Sequence, residues 1–153
     1  MPTAPALTWM AEVRCDVGEL LSLGPAPMGE RRCVALLGGS VEGPELRGTI
    51  VPGGTDWQWA RADGVLEIGA HYIVATPDGG HVEIQSTGLR HGPPEVLARL
   101  ARGEPVPPDA YFFRTALRFT TGAPAWAHLN KVMGIATGRR EARRVVLDFW
   151  RLH

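Results

Sequence analysis

The segment VLEIGAHYIVATPDGGHVEIQST, from Val65 to Thr87, decides the fold. Its two halves alternate apolar and polar side chains on either side of the turn Pro77-Asp78-Gly79-Gly80. Alternation with a period of two indicates β-strands, and Asp-Gly supplies the backbone angles of a tight hairpin turn. The segment therefore predicts an antiparallel hairpin of Val65–Thr76 and His81–Thr87. Its register stays open, because loops of three and four residues pair the strands differently.

Glycine and proline divide the rest of the chain into short runs of the same kind. The chain has 19 glycines and 13 prolines, and such residues between strand-like runs are typical of antiparallel sheets. One segment differs, because Pro94–Gly103 carries the start and stop signals of a short helix. A helical turn is predicted at Trp126–Asn130. Further strands are predicted at Leu7–Val17, Arg31–Leu37, Leu46–Val51, Asp56–Ala62, Tyr111–Thr121, Lys131–Ala136 and Arg143–Leu152, with a loop at Gly18–Gly29.

About nine or ten short strands and one short helix predict an all-β fold, a closed antiparallel β-barrel, with a sandwich as the alternative. A chain of 153 residues is expected to form a single domain over residues 1–153, with residues 1–6 as a flexible N-terminus. Both faces of several strands carry large side chains: Glu67 and His71 oppose Ile68 and Tyr72. This pattern favours a wide barrel with a partly polar interior.

The composition excludes several classes of partner and site. Sixteen basic and sixteen acidic residues balance, so the basic surface that nucleic acid requires is not expected, and the run Arg139–Arg144 is interpreted as a solvated turn. The apolar runs are too short to span a bilayer and no signal peptide is evident, which predicts a cytoplasmic protein without membrane contact. Cys15 and Cys33 are expected to be small buried residues. No spacing of histidines or cysteines indicates a metal site.

Several short motifs, in order, resemble one family. They are GERR at Gly29–Arg32, a glycine-rich block at Gly38–Gly48, PGGxDW at Pro52–Trp57, RxDG at Arg61–Gly64, DGG at Asp78–Gly80, YFFRT at Tyr111–Thr115, FxT at Phe119–Thr121, and Trp126 with Leu129-Asn130. In this order they resemble the DUF3237 family, also called UPF0311, from about Leu7 to the C-terminus. The resemblance implies a compact, closed antiparallel β-barrel but no known reaction. One difference is His71 before Tyr72, where a basic residue, usually arginine, is expected.

Four residues are candidates for catalysis. Asp56 follows a glycine turn and could act as general acid or base, or else cap the Gly53-Gly54 amides. His71 and Glu83 lie on the two arms of one hairpin, where they form an acid–base pair if both face inward and a surface pair if they do not. Arg114 could hold a ligand carboxylate or enolate, or else face solvent.

Six further residues are candidates for substrate binding. Arg61 has the same two interpretations as Arg114. The aromatic side chains offer pocket walls or core packing, and Asn130 could bind a carbonyl or stabilise its own turn. The aromatic candidates are Trp57, Tyr72, Tyr111 and Trp126.

Three hypotheses for function follow. In the first, the lumen binds a small, mostly apolar molecule bearing a carbonyl, carboxylate or phenol, and the protein is an enzyme that transfers protons without a cofactor, as an isomerase, lyase, dehydratase or cyclase. No cofactor is expected because the glycines match neither a phosphate-binding loop nor a dinucleotide fingerprint. In the second, the protein is a non-catalytic carrier or sensor of such a ligand. In the third, it is a structural protein that forms a homodimer through apolar strand faces.

Overall fold

The barrel is formed by eight antiparallel strands, in a computed structural model that describes residues 1–153. Each strand pairs with the next along the chain, and β8 pairs with β1 to close the ring. The closed antiparallel barrel is therefore confirmed, with fewer strands than the nine or ten expected. The strands are β1 (Leu7–Ala26), β2 (Gly29–Glu42), β3 (Gly48–Ala60), β4 (Leu66–Ala75), β5 (His81–His91), β6 (Phe112–Thr121), β7 (Met133–Arg140) and β8 (Arg144–Leu152).

The number of strands is lower because Pro52-Gly53-Gly54 is a bulge inside β3 and does not end a strand. The register between β3 and β4 shifts between Val51 and Thr55, and pairing then continues to Ala60. Gly53 has φ +116°, a conformation that glycine adopts without strain. The two strands predicted on either side of this motif are therefore one, and the bulge bends it around the barrel.

The loop predicted at Gly18–Gly29 is also wrong, because most of this segment extends β1 to Ala26. Leu20 pairs with Val34 and Ala26 pairs with Gly29, so β1 and β2 form one long hairpin. β8 reaches only as far as Asp16, which pairs with Arg144. Beyond that point β1 pairs with β2 alone.

Three short helices connect or cover the strands. The helix α1 (Pro94–Ala101) lies where the start and stop signals predicted a helix, and only Leu100 of it is buried. A 3₁₀ helix at Pro108–Ala110 precedes β6, and a second at Pro124–Lys131 includes the predicted turn at Trp126–Asn130. None of the helices has the length and apolar character needed to cross a membrane.

The interior divides into two halves with different chemistry. One half is packed with apolar side chains, in which Phe149 is fully buried and its ring meets Phe119 edge-on at a centroid distance of 6.1 Å. Leu129 of the second 3₁₀ helix is buried with this half. The other half, around the end where β3, β5 and β7 finish, carries polar and charged side chains inside. The candidate functional site lies in this polar half.

Candidate functional site

The polar half of the interior is built by the period of two along neighbouring strands. On β3, Asp56 and Gln58 alternate with the outward-facing Trp57, and on β4 Ile68, Ala70 and Tyr72 follow the same rule. The ends of β2, β5 and β7 bring three arginines to the same end of the barrel. The inward-facing polar set, called the lumen site below, is Arg32, Asp56, Gln58, Arg90 and Arg140.

A chain of hydrogen bonds orients the carboxylate of the lumen site. The Gln58 side-chain amide donates to Asp56 Oδ2 at 2.7 Å, and Arg32 Nε donates to Gln58 Oε1 at 3.0 Å. Gln58 is 5% exposed, so this chain is shielded from water. Asp56 Oδ1 is buried and has no hydrogen-bond partner. One carboxylate oxygen is therefore held in place and the other is free to meet a ligand.

The environment of Asp56 favours its protonated form. Burial raises the pKa of its carboxyl above the ordinary value. The Gln58 hydrogen bond, the backbone N–H of Gly69 and the charges of Arg90 and Arg140 lower it by less. A carboxyl with a raised pKa can hold a proton nearer to neutral pH and release it to a bound molecule.

Two arginines next to Asp56 lack ion-pair partners. Burial and the neighbouring Arg140 and Arg32 charges lower the pKa of Arg90 to about 10, and Arg90 Nε is buried without a partner. Burial also lowers the pKa of Arg140. The backbone N–H of Arg140 donates to the hydroxyl of Tyr111 at 2.8 Å, which fixes the end of β7. The site therefore holds more positive than negative charge.

An apolar cavity lies against Asp56 and Arg140. The space inside it that the centre of a water molecule can reach is about 40 Å³, and 10 of its 14 lining residues are hydrophobic, a composition typical of sites for mostly apolar ligands. The buried hydroxyl of Tyr72 has no partner, and the Ser86 hydroxyl donates to Thr115 at 2.7 Å. Burial raises the pKa of the Cys15 thiol to about 11, so this cysteine lines the cavity in its protonated form.

His71 and Glu83 lie on the outer surface, so they do not form the internal acid–base pair that the sequence allowed. Their side chains meet at 2.7 Å between Nε2 and Oε2, with 55% and 38% exposure. The register explains this position: Tyr72 pairs with Ile84, and both of those residues face inward. The open alternative, a surface pair, is the arrangement observed.

Arg114, Arg61 and Trp57 also lie outside the lumen. The Arg114 guanidinium donates to the carbonyl of Phe113 on the exterior, 5.5 Å from the ring centre of Phe112. Arg61 pairs with Asp63 at the mouth of the barrel. Trp57 is 42% exposed, and the Arg31 guanidinium lies 5.1 Å from its ring centre.

Trp126 and Asn130 belong to the packed end of the barrel, away from the lumen site. The indole N–H of Trp126 donates to Asp78 at 3.2 Å, which ties the second 3₁₀ helix to the β4–β5 turn. Asn130 Oδ1 accepts the backbone N–H of Thr121 at 2.8 Å, and its Nδ2 donates to the carbonyls of Thr121 and Ala127. Both residues hold a turn together.

The structure thus unites three of the predicted residues, Asp56, Tyr72 and Tyr111, with four that were missed. The missed residues are Arg32, Gln58, Arg90 and Arg140. Arg90 and Arg140 stand beyond Thr87 and Ala136, where the strands were expected to end. Extending the period of two from Ser86 to Arg90, and from Ala136 to Arg140, would have found both. The run Arg139–Arg144 contains the predicted solvated turn, since residues 141–143 are exposed between β7 and β8, but Arg140 lines the cavity next to Asp56. No cluster of three or more histidine, cysteine, aspartate or glutamate side chains is arranged to bind a metal ion.

Comparison with known proteins gives relatives over nearly the whole chain. The chain is similar to a UPF0311 protein of Rhodopseudomonas palustris, with 39% identity over 136 residues, 89% of each chain. The crystal structure of that protein aligns over 100% of both chains with a TM-score of 0.93 and 35% identity.

A fungal protein shows a more distant similarity. The hydroalkoxylation enzyme phnH of Penicillium herquei is 30% identical over 81 residues, 53% of this chain and 54% of that enzyme. The crystal structure of an enzyme from Penicillium herquei aligns over 100% of this chain and 98% of its own, with a TM-score of 0.76 and 22% identity, which shows the same fold.

The family model described as "Protein of unknown function (DUF3237)" matches residues 5–152. The motifs between Gly29 and Asn130, the eight-stranded barrel and the relatives agree with this match. The chain belongs to the DUF3237 family.

Proposed function

We propose that this protein is a cofactor-independent enzyme that binds a small, mostly apolar molecule in the lumen and catalyses its isomerisation, elimination, addition or cyclisation by proton transfer. The observation that carries the proposal is Asp56, a buried carboxyl with one unpartnered oxygen facing an apolar cavity. Such a group costs free energy in a folded protein unless a hydrogen-bond partner satisfies it, and a bound ligand can be that partner.

The roles of the residues follow from their charges. Asp56 donates a proton in its neutral form and accepts one in its ionised form, and Gln58 keeps its carboxylate oriented in both. Arg140, which lines the same cavity, stabilises negative charge that develops on an oxygen of the substrate. Apolar walls exclude water, which strengthens this electrostatic interaction.

The name of the fungal relative supplies a reaction that fits this arrangement. In a hydroalkoxylation, an O–H group adds across a C=C bond: one alkene carbon gains a proton and the other forms a bond to oxygen. Here Asp56 would give its proton to one alkene carbon while the hydroxyl oxygen of the same molecule bonds to the other. Arg140 would stabilise the negative charge on that oxygen, and the hydroxyl proton would return to Asp56. The atoms balance, and no oxidant or reductant is consumed.

A non-catalytic carrier or sensor is the second candidate. The mostly hydrophobic lining of the cavity favours it, because such a lining binds an apolar ligand without any reaction. The two candidates differ in what Asp56 does, since a carrier needs no proton transfer. Homodimer formation and a cytoplasmic location stay predictions from the sequence.

The test uses Asp56→Asn with phenols that carry a neighbouring alkene, incubated in D₂O and followed by NMR. We expect the wild type to form the cyclic ether with deuterium on the carbon that gains hydrogen. Asp56→Asn should lower turnover by at least about 100-fold, because the amide cannot transfer the proton. Glu83→Gln is the matched control on the outer surface, and its rate should stay within about twofold. Equal rates for Asp56→Asn and the wild type would contradict the proposal, and ligand binding without turnover in either would favour a carrier.

A further inference from the structure

A cleft at the mouth of the barrel gathers three arginines. It lies between the helix α1 and the β3–β4 turn, and its empty volume, counting the opening to solvent, is about 530 Å³. Arg32, Arg61 and Arg90 line it together with apolar residues that include Leu66 and Leu97. It is called the arginine cleft below.

The three positive charges in the arginine cleft are unequally compensated. Asp63 accepts two hydrogen bonds from Arg61, which is thereby neutralised. Glu30 lies 3.6 Å from Arg32, whose Nε is occupied by Gln58. Arg90 has no ion pair, and its Nε is buried without a hydrogen-bond partner. A half-buried guanidinium group whose buried Nε has no acceptor is costly and suits an anion that brings its own charge.

Arg90 lies on a strand pair that borders both the arginine cleft and the lumen cavity. Along β5 it pairs with Leu66 of β4, which lines the cleft, and with Phe113 of β6, which lines the cavity next to Asp56. The neighbours of Arg90 in the sheet therefore line the two spaces, one on each side of β5. Asp56 lies on β3 and Arg90 on β5, so the two residues are only two strands apart in the closed ring of eight.

We propose that the substrate is an organic acid whose carboxylate binds Arg90 and Arg32 in the arginine cleft while its unsaturated, apolar part reaches Asp56 in the lumen. This inference rests on the proposed function and names the substrate class for it. The planar guanidinium group matches a carboxylate with two parallel hydrogen bonds. Leu66, Leu97 and the apolar lining of the lumen then contact the hydrocarbon part of the acid.

The test compares the binding of trans-cinnamate with that of trans-cinnamamide by titration calorimetry at constant ionic strength. The two probes share a ring and a C=C bond and differ in charge. We expect the wild type to bind cinnamate at least about tenfold more tightly than the amide. Arg90→Gln should remove this preference while the affinity for the amide stays within about twofold. Arg118→Gln, on the exposed outer face of β6, is the control and should keep the preference.

Arg32→Gln provides a second variant if Arg90→Gln does not fold, and it should reduce the preference in the same direction. The inference would be overturned if the wild type bound the two probes with equal affinity, or if it bound neither probe. It would also be overturned if Arg90→Gln lowered the affinities for cinnamate and cinnamamide by the same factor. The proposed function fails separately: equal turnover by Asp56→Asn and the wild type would contradict it, whatever the preference for the acid.

Discussion

At the scale of single residues, the site depends on one carboxyl group whose two oxygens differ. Asp56 Oδ2 accepts a hydrogen bond from Gln58, while Oδ1 is buried without a partner. The sequence predicted this aspartate as a proton-transfer candidate because it follows a glycine turn. It could not predict Gln58 or Arg32 as partners, because their contact depends on the register between β2 and β3. Register is a tertiary property that no local pattern determines.

The raised pKa of Asp56 predicts how its replacement changes stability with pH. The pKa of aspartate in an unfolded chain is about 3.9, and burial raises the pKa of the folded Asp56 carboxyl above that value. Below about pH 3.9 the group is neutral in both states and costs nothing. As pH rises through the folded pKa, the buried charge lowers the free energy of unfolding of the wild type.

Asp56→Asn removes that charge. The free energy of unfolding of the variant minus that of the wild type should therefore be larger at pH 7 than at pH 4. Urea denaturation at both pH values measures this difference. A difference that is independent of pH, or that falls as pH rises, would show that the carboxyl is not buried in the folded protein.

At the scale of elements, the bulge in β3 shapes the barrel next to the site. Gly54 is the last residue of the bulge and packs directly on β4, where an added Cβ would lie 2.6 Å from the Cβ of Tyr72 and 2.8 Å from the carbonyl oxygen of His71. The sequence identified Pro52-Gly53-Gly54 but predicted a strand end there. A bulge and a turn use the same residues, and only the pairing on both sides distinguishes them.

This close packing predicts the effect of a small substitution. Gly54→Ala should lower the free energy of unfolding by about 1–3 kcal/mol, because the methyl group overlaps the backbone of β4. Gly122→Ala is the matched control, since no atom lies within 4 Å of the added Cβ. Urea denaturation measures both variants, and equal stabilities would contradict the packing described for β3 and β4.

The ends of strands were the least predictable elements, and they carry the missed arginines. β5 continues to His91 and β7 to Arg140, several residues beyond Ile84 and Ala136, the last apolar residues of each strand that are buried in the interior. Polar residues at strand ends look like loop residues in a sequence, because the apolar alternation that indicates a strand has stopped. Here they remain in the sheet, because Arg90 pairs with β4 and β6 on its two sides and Arg140 pairs with β8.

At the scale of the whole molecule, a neutral chain encloses a positively charged site. The equal numbers of acidic and basic residues excluded a broad basic surface but did not indicate how charge is distributed inside. Arg90 and Arg140 face an interior with one carboxylate, Asp56, while His71 and Glu83 pair on the exterior. Motifs and periodicity were enough to predict the closed barrel. The division into a packed end and a polar end required the three-dimensional pairing of all eight strands.

The central claim is that Asp56 is a buried acid that faces the ligand, and ¹³C NMR titration of its carboxyl carbon tests this claim most directly. We predict a midpoint above about 3.9, the ordinary value for aspartate, and a further increase when trans-cinnamamide fills the lumen and displaces water. A midpoint at or below the ordinary value that does not respond to the ligand would contradict the account.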